Sequence, residues 1–454
     1  MDKVTILGSG MSAFGAVHRL QAEGVAPILY DKNLHYGGHT ASFRTPSGFI
    51  FDEGPHVSFT KNERIQTVLA EQVANQYERV QAYINNYWKG YWIKHPAICN
   101  LHGLPSDLLV KILKDFIDVQ QQGEKPVSNY EEWLVASYGK TYAELFPMEY
   151  TWKYHTTTAR NLTTEWVGPR LYRAKLDEVL LGALSPVTPD IHYVSDYRYP
   201  SFGGFVAYLE RFSKESALHL GWKVEQIDPK EKELTFSNGA KVRYTNLISP
   251  VPLPDLIPMI KGVPQSVLNA AERLACTTVV LVNVGIDRQD ISEASWTYFY
   301  DREFPFSRVS FPHLMSPHTV PEKAGSIQAE IYFSKKYRPL TEDPKILIQP
   351  AIEGLRRCGL IREGDRILHQ DAMEIPYANI IFDLDRREAL SSIHSFLDEI
   401  GIAYCGRYGE WGYLWTDQSF VSGEQAAQKI LDRLGKKRRT ASEKVPVDSS
   451  GTRR

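Results

Sequence analysis

Cysteine is scarce: 4 residues in 454, at Cys99, Cys276, Cys358 and Cys405, far apart and with no C-x-x-C pair. That spacing argues against zinc and against a disulfide framework, and no metal site is expected. Neither sign of charge is in excess. Against 54 acidic side chains stand 52 basic ones, a formal −2, which gives no general drive toward nucleic acid or an anionic membrane. No apolar run approaches the ~20 residues of a membrane-spanning helix, and there is no internal repeat. The first strand begins near Val4. No signal peptide is therefore expected, and the thiols are expected to be reduced in a cytoplasmic protein. What remains is an ordinary globular balance of 43% hydrophobic and 23% charged residues, on a chain long enough for two domains. Its 25 tyrosines fit aromatic-walled pockets or plain packing equally well.

The chain is organised around its first 56 residues. Val4-Thr5-Ile6-Leu7 reads as a strand that stops at Gly8. Gly8-Ser9-Gly10-Met11-Ser12-Ala13 then opens an amphipathic helix with Phe14, Val17 and Leu20 at helical spacing, ending near Gly24. Pro27 to Tyr30 reads as a second strand, closed by Asp31. This is the G-x-G-x-x-A form of a dinucleotide-binding βαβ unit. Gly8 allows the tight turn, Gly10 lets a pyrophosphate approach, and small Ala13 lets the helix lie on the sheet. The helix N-terminus, with Ser12 in its first turn, offers N–H groups to phosphate. Asp31 can accept from a ribose diol.

A second glycine pair, Gly37-Gly38, follows the acid, and then Phe49-Ile50-Phe51-Asp52-Glu53-Gly54-Pro55-His56. These residues resemble the amine-oxidase-like FAD superfamily, and within it the UDP-galactopyranose mutases, the eukaryotic-type ones in particular. The expected fold is α/β: a discontinuous Rossmann-like FAD-binding domain (1–60, 195–265 and 365–435) with a mostly helical insertion and a mixed β-sheet substrate domain (61–194 and 266–364). Residues 436–454 are basic, Ser/Thr-rich and expected to be disordered.

The element pattern supports that division. Helices are expected from Asn62 to about Val80 and from Ser106, as N-cap, to about Gln122, where Leu109, Ile112, Leu113 and Phe116 make one stripe. Tyr91 to Pro96 reads as a short strand, and Asn129 through Tyr154 as largely helical. Strands are expected at Lys223–Ile227, at Glu233–Phe236 and around Asn246-Leu247-Ile248, with an Asn238-Gly239 turn. Val279–Val284 suits a buried strand, and Trp296 to Phe311 an alternating one.

On that alternation Trp296, Tyr298 and Tyr300 share a face before the Asp301-Arg302-Glu303 turn, and Phe304, Phe306 and Arg308 share one after it. A guanidinium on an apolar face calls for an anion. An internal carboxylate and a ligand anion explain it equally well. The resemblance points to the ligand, implying that Trp296 and Tyr298 contact substrate and that Arg308 binds a diphosphate. It likewise implies that Arg170, in Trp166-x-x-x-Arg170, clamps the diphosphate at the flavin, and that Tyr377 and Tyr413 donate to it. Arg407 would sit at the flavin ring, the Gln418-Ser419 helix start at its pyrimidine edge, His56 near N5, and Val224 beside the adenine. Taken singly, Arg170 is better explained as a surface or Glu165-paired residue, Tyr377 and Tyr413 as packed core and His56 as a satisfied turn histidine, while a core role explains Val224 equally well.

The function that the resemblance implies is an FAD-dependent mutase of a nucleotide sugar, UDP-galactose first, in polysaccharide biosynthesis. It would interconvert pyranose and furanose through reduced-flavin N5 covalent catalysis, with NAD(P)H a possible reductant and the oligomeric state open. The alternative is an oxidase or dehydrogenase of the amine oxidase or protoporphyrinogen oxidase type. Amine oxidases commonly set a lysine after the adenine domain, where this chain has Leu274-Ala275-Cys276-Thr277-Thr278. Two segments depart from the mutase pattern: His95-Pro96-Ala97-Ile98 stands where the mutases carry a Tyr-Pro-Phe-Gln uridine segment, and Ser201-Phe202 interrupts their usual approach to the glycine pair Gly203-Gly204.

Overall fold

The structure is a computed structural model and describes residues 3–123, 125–192 and 194–435. The tail at 436–454, expected to be disordered, lies outside the described residues.

Val4–Leu7 carries apolar side chains on both faces because it lies inside a five-stranded sheet. The order is Ala403–Tyr404, Asn246–Ser249, Val4–Leu7, Ile28–Asp31, Ala217–Leu220, and every neighbouring pair is parallel. Helix Met11–Ala22 leaves the first strand and packs on helix Thr416–Arg433 at very short range. A Cβ on Gly15 would stand 2.0 Å from the Phe420 carbonyl oxygen, and one on Gly423 1.8 Å from that of Ser12. Only glycine allows that crossing. Val224–Asp228, Glu233–Phe236 and Lys241–Arg243 form an antiparallel meander beside the sheet. The strand expected around 246–248 is not part of that meander; it joins the parallel sheet, with Thr5 opposite Leu247.

The second sheet has seven strands, in the order Ile367–Ile375, Thr277–Ile286, Gly325–Ser334, Arg308–Ser310, Trp296–Phe299, Ile84–Trp88, Tyr91–Lys94. It is antiparallel except where Trp296–Phe299 runs parallel to Ile84–Trp88. Helices Ser106–Gln121, Tyr130–Tyr138, Lys140–Leu145, Pro147–Tyr154 and Leu176–Leu184 share one hydrophobic core.

Four further expectations change. Asn62 does cap a helix, through Oδ1 to the Arg64 and Ile65 N–H groups, but the helix ends at Gln72. Residues Tyr77–Gln81 then pair as a strand with Asp196–Pro200, which local periodicity could not show. Ser106 is the first helical residue rather than the cap; Pro105 holds that position without a side-chain bond. Ile367–Ile375 belongs with the seven-stranded sheet rather than with the nucleotide-binding half, because it pairs along Thr277–Ile286. Finally, Phe304 and Phe306 do not share a face with Arg308. Residues 300–307 leave the ladder, so the alternation loses phase; both rings pack with Phe299, Val309 and Phe311 while Arg308 turns to the other side.

Candidate active site

The two glycine pairs face each other. Gly8, at φ 116°, donates its N–H to the Tyr30 carbonyl at 2.7 Å, and Gly37 donates to Ser9 at 2.9 Å. A Cβ on Gly38 would meet the Gly10 Cα at 3.2 Å, so the second turn lies directly against the first. Helix Met11–Ala22 starts with no side-chain cap and no acid in its first turn, leaving its N–H groups to an anion. Asp31 ends its strand with Oδ2 accepting from Ser9 Oγ at 2.6 Å and Oδ1 from the Asn33 N–H at 2.8 Å. A dinucleotide fits this cradle: the turn admits a pyrophosphate backbone, and the carboxylate is held rigid for a diol.

The cradle opens into one cavity of about 1330 Å³, larger than the ~300–1,000 Å³ typical of a single drug-sized ligand. Of the residues singled out above, Gly8, Gly10, Ser12, Asp31, Gly37, Gly38, Val224, His56, Arg407 and Ser419 line it. So do Arg170, Arg308, Trp296, Tyr298, Tyr377 and Tyr413. Two do not. Ala13 is fully buried under the helix, and Gln418 accepts from the Trp415 N–H at 2.9 Å, closing the start of helix Thr416–Arg433.

His56 Nδ1 donates to the Gly54 carbonyl at 2.8 Å, which leaves Nε2 as an acceptor. Burial, with Arg407 and His39 nearby, pushes its pKa down to about 3, so the ring is neutral. Arg407 is held by backbone: Nε donates to Leu414 O at 2.8 Å and Nη1 to Ala378 O at 3.3 Å. Arg170 comes from the turn Gly168–Arg170. Its guanidinium lies 4.0 Å over the Tyr413 ring and 4.1 Å over that of Trp415, and Nη2 donates to the Tyr413 carbonyl. Glu165, the nearby acid, is committed to Arg386 and Arg387.

Arg308 has the internal carboxylate that the sequence left open. Glu330, directly opposite it in the ladder and only 1% exposed, takes Nε at 2.7 Å and Nη2 at 2.9 Å. Burial opposes the arginine's charge, but Glu330 more than offsets it and the pKa rises. The pair lies in the cavity wall, with Tyr332 donating to Glu330 from the same strand. The tyrosines are engaged too: Tyr377 donates to Asp255 at 2.6 Å, and the Tyr413 and Tyr154 hydroxyls stand 2.8 Å apart. Trp296 Nε1 donates to Tyr298 at 3.1 Å. Sequence reasoning missed Glu330, Tyr154 and Asp255. For Glu330 a signal existed, a lone acid within the strand-like alternation Ile327-Gln328-Ala329-Glu330-Ile331.

A family model described as an NAD(P)-binding Rossmann-like domain matches residues 6–72. A crystal structure of reduced UDP-galactopyranose mutase superposes with a TM-score of 0.89 at 25% identity, covering 95% of this chain and 96% of that one. The chain is similar to UDP-galactopyranose mutase over nearly its whole length. More distant likenesses show the fold alone. An Exiguobacterium sp. 255-15 protein designated a protoporphyrinogen oxidase has a TM-score of 0.71 at 14% identity, over 95% of this chain and 99% of that one. A putrescine oxidase variant has 0.63 at 13%, over 95% and 100%. The mutase-like fold therefore carries the Rossmann-like unit and the mixed seven-stranded sheet as expected, and no described helix is long and apolar enough to cross a membrane.

Proposed function

We propose that this protein is an FAD-dependent mutase that interconverts the pyranose and furanose forms of an NDP-hexose. The observation that carries this reading is the meeting, in one cavity, of a dinucleotide cradle with Arg170, Arg308, Tyr298 and Tyr413. A reduced flavin, when bound there, would supply a nucleophile for the anomeric carbon with no net redox change.

The chain's own residues do the rest. Gly8, Gly10 and the N-terminus of Met11–Ala22 would hold the cofactor's pyrophosphate. Arg170, Arg308 and the phenols of Tyr377 and Tyr413 grip the leaving diphosphate, whose charge grows as its bond to the sugar breaks. Keeping it beside the open sugar makes its return effectively intramolecular. Glu330 leaves Arg308 a free Nη1 edge while fixing the guanidinium plane, so the arginine is oriented before substrate arrives. Tyr377 must exchange Asp255 for phosphate to serve in this way.

The test incubates the dithionite-reduced, FAD-loaded protein with UDP-, ADP-, GDP- and TDP-hexoses under nitrogen. Furanose formation without consumption of oxidant is the expected result. Inertness toward all four, together with peroxide release from amines or porphyrinogens in air, overturns the reading in favour of an oxidase.

A further inference from the structure

Two phenols from distant parts of the chain meet in the cavity wall. Tyr154 ends helix Pro147–Tyr154, and its ring lies against Tyr150, stacked at 5.2 Å, and Tyr332 at 4.7 Å. Tyr413 follows 259 positions later, just before helix Thr416–Arg433. Both line the cavity, and their hydroxyl oxygens stand 2.8 Å apart. Neither hydroxyl has a second hydrogen-bond partner among the described residues. The neighbouring Tyr332 is placed differently, because its proton goes to Glu330.

Two phenols carry two protons, and one O–H···O bond between them uses only one. The other proton is left for a ligand, in an aromatic wall where an unmade hydrogen bond is costly. Which oxygen offers it depends on where charge arrives. The Arg170 guanidinium lies 4.0 Å over the Tyr413 ring, and that of Arg407 lies 5.1 Å from it. An anion drawn to these cations comes to Tyr413 rather than to Tyr154, whose ring is packed among tyrosines. Rotation of two O–H bonds then forms a chain, Tyr154 donating to Tyr413 Oη and Tyr413 to the anion. No heavy atom need move. An oxygen that accepts one hydrogen bond donates a stronger one, by about 10–30% per link. Burial lifts the Tyr154 phenol well above its ordinary pKa, so it keeps the proton that it donates.

We propose that Tyr154 is a positioning residue for the diphosphate, acting through Tyr413. By donating to the Tyr413 oxygen it turns the Tyr413 proton onto the departing phosphate and strengthens that bond. This rests on the mutase reading above and adds a residue to the same site. The effect belongs to the transition state. Charge on the diphosphate grows as its bond to the sugar breaks, and a relayed donor responds to that growth more than to the intact substrate. A tyrosine that merely packs would be replaced by phenylalanine without loss, because its ring contacts with Tyr150, His155 and Tyr332 do not need the oxygen.

Tyr154→Phe, Tyr413→Phe and the double variant, FAD-loaded and dithionite-reduced, test this with the nucleotide hexose that the parent protein turns over. Tyr154→Phe should lower kcat about tenfold, the scale of one hydrogen bond to a charged group, and leave KM within about twofold. In the Tyr413→Phe background the same change should cost less than about twofold, since a residue acting through another loses its effect once that one is gone. Calorimetric titration with inorganic pyrophosphate, which carries the charge of the departed group, should follow the same pattern. Binding should weaken about fivefold in Tyr154→Phe, with no further weakening when that change is added to Tyr413→Phe. Unchanged kcat in Tyr154→Phe, or equal losses in both backgrounds, overturns the relay while leaving the mutase reading standing. A parent protein that forms no furanose from UDP-, ADP-, GDP- or TDP-hexose overturns both.

Discussion

At the scale of single residues, the two arginines differ in what they would lose. Arg170 rests on aromatic faces and a carbonyl at the cavity edge, and neither contact carries the hydrophobic core. Arg170→Ala should therefore fold and hold flavin while losing about 10²–10³-fold in kcat, the scale of one oriented donor to a developing anion. Turnover by the purified yellow variant checks this. Arg170→Lys should recover little, because a point charge cannot stack in the plane of the two rings. Arg308 is different, because its partner is buried. Glu330→Gln leaves a charged guanidinium uncompensated and should cost about 3–5 kcal/mol of stability, read by urea unfolding. Added pyrophosphate should restore more stability to that variant than to the parent protein, since an anion can take the carboxylate's place.

At the scale of elements, the cradle depends on how closely two helices cross. Gly15 and Gly423 bring Met11–Ala22 onto Thr416–Arg433 backbone to backbone. Gly15→Ala would place its methyl inside the Phe420 carbonyl, so the helices must part. A loss of about 1–3 kcal/mol is expected. The cofactor should also bind more weakly, because the displaced helix is the one whose N-terminus would take the pyrophosphate in the proposed reading. Flavin content after dialysis reads the second effect separately from the first. None of this crossing was visible in the sequence, where Gly15 looks like an ordinary helix-interior glycine. What the sequence did show was local: the Gly8–Asp31 unit, the stripe in Ser106–Gln121, the buried strand Thr277–Ile286. What it concealed was set by partners distant along the chain. The pairing of Ile367–Ile375, the loss of phase over 300–307, and the meeting of Arg308 with an acid 22 residues on all depend on ladder register. Tyr377 shows the same limit, since its partner Asp255 lies 122 positions away.

At the scale of the whole molecule, the cavity couples folding to pH. Enclosing so large a space with aromatic walls buries imidazoles, and burial favours their neutral form. Both His56 and His155 are pushed down to about 3 by burial, and His95 well below its usual value. An unfolded chain protonates these rings near 6.5. Between about pH 3 and 6.5 the unfolded state therefore binds more protons, so stability is fully present above that window and falls as pH drops through it. Asp52 works the other way, because burial raises it to about 6, and between about 4 and 6 the folded state holds the extra proton. With His56 and His155 against Asp52, the balance is one proton, about 1.4 kcal/mol per pH unit lost on acidification, and His95 adds to it. His155 isolates one contribution. It packs against Tyr154 and Trp166, and its Nδ1 has no hydrogen-bond partner among the described residues, so Phe can replace it without breaking a bond at that nitrogen. Urea unfolding of flavin-loaded parent and His155→Phe at pH 6 and pH 5 should give a drop smaller by about 1.4 kcal/mol in the variant. Equal drops would mean that the ring is already protonated, or already exposed, in the folded protein.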